Sequence, residues 1–107
     1  MASSKEYLNF ILEQLSDLKE ITYRAMMGEY IIYFRGKIAA YICDDRFLVK
    51  PLPAARTIMP EAPYEQPYEG ANKMLLVENV DDREFLVALF EAMYDELPVR
   101  NAKKRKN

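Results

Sequence analysis

The chain has 107 residues, half of them apolar and 30% charged, which suits one domain around one hydrophobic core and excludes two. Apolar runs such as Tyr30 to Phe34 are only a few residues long, against the ~20 that a membrane-spanning helix needs. The formal net charge of −2 hides two opposed parts: five of the 15 cations (Arg100, Lys103, Lys104, Arg105 and Lys106) lie in an acid-free end, leaving residues 1–98 with 10 basic and 17 acidic groups, about −7, so only the tail reads as a nucleic-acid contact.

In chain order, residues 4–18 predict a helix. Ser3 and Ser4 suit an N-cap, Ser3 with Glu6 has capping-box spacing, and Leu8, Ile11, Leu12, Leu15 and Leu18 form one apolar stripe. Ile21 to Met26 predicts a short strand. Tyr30 to Phe34, Ile38 to Cys43 and Phe47 to Lys50 predict a β-meander, with turns at Arg35-Gly36 and Asp44-Asp45. Five of the six prolines then fall between 51 and 70. Pro53 suits the first turn of a short helix over Ala54 to Met59. Pro60 to Gly70 is expected to be irregular, with Tyr64 and Tyr68 holding it to the body; a loop of that length is often functional. Lys73 to Glu78 predicts a last strand. Asp81 or Asp82 then caps a helix with Phe85, Leu86, Leu89, Phe90, Met93 and Leu97 on its apolar face, ended by Pro98. The expected fold class is α+β in two layers, an antiparallel sheet backed by the N- and C-terminal helices. Residues 1–98 form the domain, and 99–107 a basic tail too polar to join a core.

With two-residue turns and strict alternation, Ile31, Tyr33, Ile38, Ala40, Ile42, Phe47 and Val49 share an apolar face that meets the helices. The other face carries Tyr30, Ile32, Phe34, Lys37, Ala39, Tyr41, Arg46, Leu48 and Lys50. Such a mixed face is half-wet, covered by the Pro-rich segment or a second subunit, or a stacking platform for bases. A one-residue slip would exchange the two faces.

The chain has no histidine, which removes the commonest general base at neutral pH and every Ser-His or Cys-His arrangement. One cysteine makes no thiolate cluster, and three glycines build no Gly-rich phosphate loop. Asp44-Asp45 reads as a turn and Asp81-Asp82 as a cap. Cys43 and the Met26-Met27 pair read as packing residues. No catalytic residue, metal or cofactor is therefore expected. The N-terminus lacks the charged start and apolar stretch of a signal peptide, and the lone cysteine suits a reducing compartment, so the expected location is the cytoplasm.

The stretch Arg24-Ala25-Met26-Met27-Gly28-Glu29-Tyr30-Ile31-Ile32-Tyr33-Phe34-Arg35-Gly36-Lys37, with Asp44-Asp45-Arg46-Phe47-Leu48-Val49-Lys50, resembles the N-terminal domain of the TfoX/Sxy family. Tyr68-Glu69-Gly70-Ala71-Asn72-Lys73-Met74 is similar to its short single-domain members, and Met27 stands where that family commonly has Phe. The resemblance implies an antiparallel sheet backed by helices and a link to transcription. Two-domain relatives regulate competence genes, acting with the cyclic-AMP receptor protein, and have a second, helical C-terminal domain, where one domain and a basic tail are expected here. It implies no catalytic or ligand residue.

The expected function is a non-enzymatic regulatory or interaction domain that works through a protein partner, which the resemblance implies is the transcription machinery or a regulator. Its candidate surface is Tyr30, Phe34, Lys37, Tyr41, Arg46, Lys50, Tyr64 and Tyr68, and a homodimer through the mixed face is a further expectation. Two alternatives stand beside it. One is direct nucleic-acid binding through the mixed face and a tail of Arg100, Lys103, Lys104, Arg105 and Lys106. The other is a small-molecule site with Pro60 to Gly70 as its lid.

Overall fold

Three two-residue turns with both central residues at positive φ set the sheet: Met27-Gly28 (55° and 83°), Arg35-Gly36 (53° and 83°) and Asp44-Asp45 (53° and 55°). This is the hairpin turn whose twist matches that of the flanking strands. The computed structural model describes residues 4–98; Ser3 and the basic tail lie outside them. The elements are α1 (Lys5–Gln14), β1 (Ile21–Met26), β2 (Glu29–Phe34), β3 (Lys37–Cys43), β4 (Arg46–Val49), α2 (Pro53–Ile58), β5 (Tyr64–Glu65), β6 (Met74–Leu76) and α3 (Arg83–Tyr94). The six strands form one antiparallel sheet in the order β1-β2-β3-β4-β6-β5, an α+β arrangement.

Most elements lie where the sequence places them. The first helix is shorter than expected: the chain leaves it at Leu15 and turns through 15–20, although Leu15 and Leu18 stay buried. Its cap is Ser4, whose hydroxyl accepts from the N–H of Tyr7, and Asp82 caps α3 by accepting from Phe85. The 60–70 segment is not wholly irregular. Tyr64 and Glu65 pair with β6 opposite Leu75 and Met74, a strand too short to show as a pattern.

The faces of the meander need a larger correction. The β2–β3 register shifts by one residue, Ile32 pairing with Ala40 but Tyr33 with Ile38, so Ala39 is a bulge. An extra residue reverses the alternation on one side of the break. Ala40, Ile42, Phe47 and Val49 meet the helices as expected, but from β2 the residues that join them are Ile32 and Phe34, not Ile31 and Tyr33, and Ile38 follows its partner Tyr33 to the opposite face. Phe34, assigned to the candidate surface, is 1% exposed.

All three helices cover this face. Phe90 of α3 stacks on Phe47 (ring centroids 6.0 Å apart, planes 10°) and packs obliquely on Phe34 at 5.9 Å. Leu8, Ile11 and Leu15 come from the first helical segment, Ala55 from α2, and Leu86, Leu89 and Met93 from α3. Polar contacts fix the helix positions. Arg83 donates to the Glu13 carbonyl (2.7 Å) and the Ser16 hydroxyl (3.0 Å), and Gln14 donates to the Val80 carbonyl at 3.0 Å. The N–H of Ala54, in a helix without its own side-chain cap, donates to Glu96 at 2.9 Å.

Phe90→Ala is expected to cost about 3–5 kcal/mol, the range for truncating a fully buried Phe. Urea unfolding checks it: the midpoint falls with an unchanged slope.

A candidate interaction groove on the helix-free side of the sheet

Among the described residues no helix covers the opposite side of the sheet. The register puts Ile31, Tyr33, Tyr41, Cys43, Arg46 and Leu48 there, and Met74 joins them from β6. Cys43, Leu48 and Met74 form a second, smaller buried cluster with Tyr41 and Leu76 against it. The Pro-rich segment crosses this cluster, and Arg46 holds it there. Its Nη1 donates to Glu65 Oε1 at 2.7 Å, its Nη2 to the Pro67 carbonyl at 3.3 Å, and its Nε to the Cys43 carbonyl at 3.2 Å. Asp44 adds a longer ion pair at 3.8 Å. A rigid guanidinium fork suits three acceptors in one plane. Arg46 is therefore a clamp between β4 and the crossing segment. Tyr64 and Tyr68, expected to anchor that segment, are half exposed.

Beside the clamp lies an open groove of about 810 Å³, with Tyr41, Lys50, Pro67, Tyr68, Lys73 and Met74 among its lining residues. Burial pushes the Tyr41 hydroxyl above its usual range, and the nearby Tyr68, Tyr33 and Cys43 add to the shift. Burial also lowers the Lys50 ammonium from its ordinary value. The described residues give Lys50 no ion pair. The groove thus offers aromatic and aliphatic walls with one half-desolvated cation, suited to an anionic group on an apolar body.

The eight residues of the candidate surface divide. Tyr41, Lys50 and Tyr68 meet in the groove, and Arg46 stands next to it as the clamp. Tyr64 lies at the sheet edge opposite Leu75, outside the groove lining. Phe34 is in the core, and Tyr30 packs against the core cluster with its ring edge-on to Tyr23 at 6.0 Å. Lys37 is on the helix side: its Nζ donates to the Tyr94 carbonyl (3.3 Å) and sits 4.1 Å over the Tyr94 ring, at the carbonyl end of α3, where a cation is favoured. Sequence reasoning missed Pro67, Lys73 and Met74 as groove residues, since only the chain's return over the sheet brings them to Tyr41. It also took Met26 and Met27 as packing residues. Met27 stands in the first hairpin turn, 96% exposed, and Met26 is half exposed.

Cys43 is wholly buried. Burial pushes its thiol up to about 12, helped by the charge and hydrogen bond of Glu29 and opposed by Arg46. Among the described residues there is no group of three or more Cys, Asp or Glu placed to hold a metal, and no helix long and apolar enough to cross a membrane.

A family model described as the TfoX N-terminal domain matches residues 13–96. A protein of Spirochaeta aurantia, named as an uncharacterized 12.7 kDa protein in the trpE 5′ region, is 30% identical over 80 residues, which is 75% of this chain and 70% of that one. No solved structure matches.

Arg46→Lys keeps the charge but not the fork, and is expected to lose about 1–2 kcal/mol. Hydrogen exchange should quicken in 64–73 and stay unchanged in β1–β3. Iodoacetamide is expected to modify native Cys43 at least about a hundredfold more slowly than the urea-unfolded chain, because its thiolate is so scarce; mass spectrometry of the alkylated peptide follows both rates.

Proposed function

This chain belongs to the TfoX N-terminal domain family, and on that premise we propose that it is a non-enzymatic regulatory domain, linked to transcription or competence control, that binds a protein partner through the groove at Tyr41, Lys50 and Tyr68. The observation that carries the contact surface is the groove itself. Aromatic rings and a half-buried ammonium that no described residue pairs with line it, on the side of the sheet that the described helices leave open. Uncompensated burial of a charge is unfavourable, and a partner carboxylate set against Lys50 offsets it. The acidic body favours a protein over the DNA backbone, because a net charge of about −7 over residues 1–98 repels phosphates. The non-enzymatic reading rests on a chain without histidine and on a cysteine whose thiol is buried and protonated.

Affinity capture of the full chain from its own cells, with and without nuclease, tests the reading. A protein partner is expected to remain after nuclease treatment. It should bind at least about tenfold more weakly to Lys50→Glu, where a repulsive carboxylate replaces the attraction. Capture that disappears with nuclease, or on deletion of residues 100–107, would instead assign the contact to nucleic acid and the basic tail. Such binding would also weaken steeply with added salt.

A further inference from the structure

The two edges of the sheet are built differently. At one end β5 is two residues long, with Pro63 before it and Pro67 two residues beyond, a common way to blunt an edge. At the other end β1 runs for six residues, Ile21–Met26, without proline, lysine or register shift, and five of the six are exposed. Among the described residues no strand pairs with its outer side.

The Met27-Gly28 turn fixes which backbone groups are free. A two-residue hairpin closes on a hydrogen-bonded pair, here Met26 with Glu29, so Arg24 with Ile31 and Thr22 with Tyr33 are also bonded pairs. The N–H of Arg35 donating to the Glu20 carbonyl at 3.0 Å continues the same alternation. The N–H and C=O of Ile21, Tyr23 and Ala25 therefore point away from β2.

We propose that β1 pairs antiparallel with β1 of a second copy about a two-fold axis at Tyr23, joining the two six-stranded sheets into one. Tyr23 then lies opposite Tyr23 of the second copy, Ile21 opposite Ala25, and Thr22 opposite Arg24. Every free group of the three outward residues finds a partner. Centring the axis on Thr22 leaves Ala25 facing Lys19, outside the strand. Centring it on Arg24 sets like charges opposite each other and carries Ile21 to Met27 in the turn. The same axis puts both helix layers on one side of the joined sheet. On that side a hollow of about 500 Å³, lined by Leu12, Leu15, Leu18, Ile21 and Tyr23, opens at the edge. Tyr23, 44% exposed, reaches toward it from the second copy. The pairing keeps the two Arg24 side chains two residues out of register, so no like charges stand directly opposite. The contact is a small interface, so the dimer is concentration-dependent. It leaves the groove free and does not depend on the groove's role.

Sedimentation equilibrium of the full chain from micromolar to millimolar concentration tests the state, and three variants test the register. Ala25→Pro removes an N–H that points away from β2, which an edge strand accommodates. Its dissociation constant is expected to rise at least about tenfold, with the native circular dichroism kept. Under oxidation Tyr23→Cys should link two copies, because its equivalents face each other at bridging distance. Thr22→Cys should not, because its equivalents are offset by two residues. A monomer at every concentration would overturn the proposal. So would a dimer indifferent to Ala25→Pro in a folded variant, or equal cross-linking of the two cysteine variants. Should Ala25→Pro fail to fold, the cysteine pair decides alone.

Discussion

Between Ile32 and Tyr33 the β2–β3 ladder takes up one extra residue, Ala39, and the packing of the whole molecule depends on that slip. Without it, alternation across the Arg35-Gly36 turn would send Ile31 and Tyr33 toward the helices along with Ala40 and Ile42. With it, Ile32 and Phe34 face inward, Ile38 follows Tyr33 to the opposite side, and β3 from Ala40 onward and β4 keep the phase that their sequence suggests. Phe34 then reaches Phe90 and Tyr94 of α3, and Phe47 stacks on Phe90 from β4. The bulge thus brings the two halves of the meander under one helix. Ala39 is small and wholly buried in the helix-side core, so the extra residue adds little bulk there.

The slip also turns Ile31, Tyr33 and Ile38 to the other side. Tyr41, Cys43, Leu48 and Met74 gather where no helix lies, and the chain covers part of them with its own Pro-rich segment. That segment is held by its two-residue pairing with β6, by the N–H of Leu76 donating to the Pro63 carbonyl at 2.9 Å, by the burial of Pro67 and by the hydrogen bonds of Arg46. A clamp of this kind fixes one point and leaves the rest of the crossing chain to form a wall. The groove beside Lys50 is the space between that wall and the sheet. A covered cluster and an adjoining open groove are therefore products of one arrangement. The sheet edge at β1 follows a different logic, since nothing along it blunts the free backbone groups.

The positions of the strands, turns and helix caps were legible in the sequence because each rests on local chemistry. Gly28, Gly36 and Asp44-Asp45 tolerate the positive φ that tight hairpins need, and Asp82 caps α3 from one residue outside it. The family was legible for a related reason: the matching residues cluster in these same turns and strands, and the matched region covers most of the chain. The candidate surface was legible only in part. Tyr41, Lys50 and Tyr68 do meet, whereas Phe34, Lys37 and Tyr30 serve the core and the end of α3. The reason is physical. A face assignment accumulates along a strand, so a single unpaired alanine, with no sequence signal of its own, reverses it.

Apart from the two-residue β5, the sequence by itself determined the elements, their order, the α+β class and the poverty of catalytic groups, because propensity, periodicity and residue type act over a few neighbouring positions. Only the tertiary structure decided which side of β2 is buried, that Arg46 is a clamp, that residues 67–74 return over Tyr41, and that β1 is left as an open edge. Each of these depends on contacts between residues far apart in the chain, whose geometry is fixed only once the sheet has closed on its core.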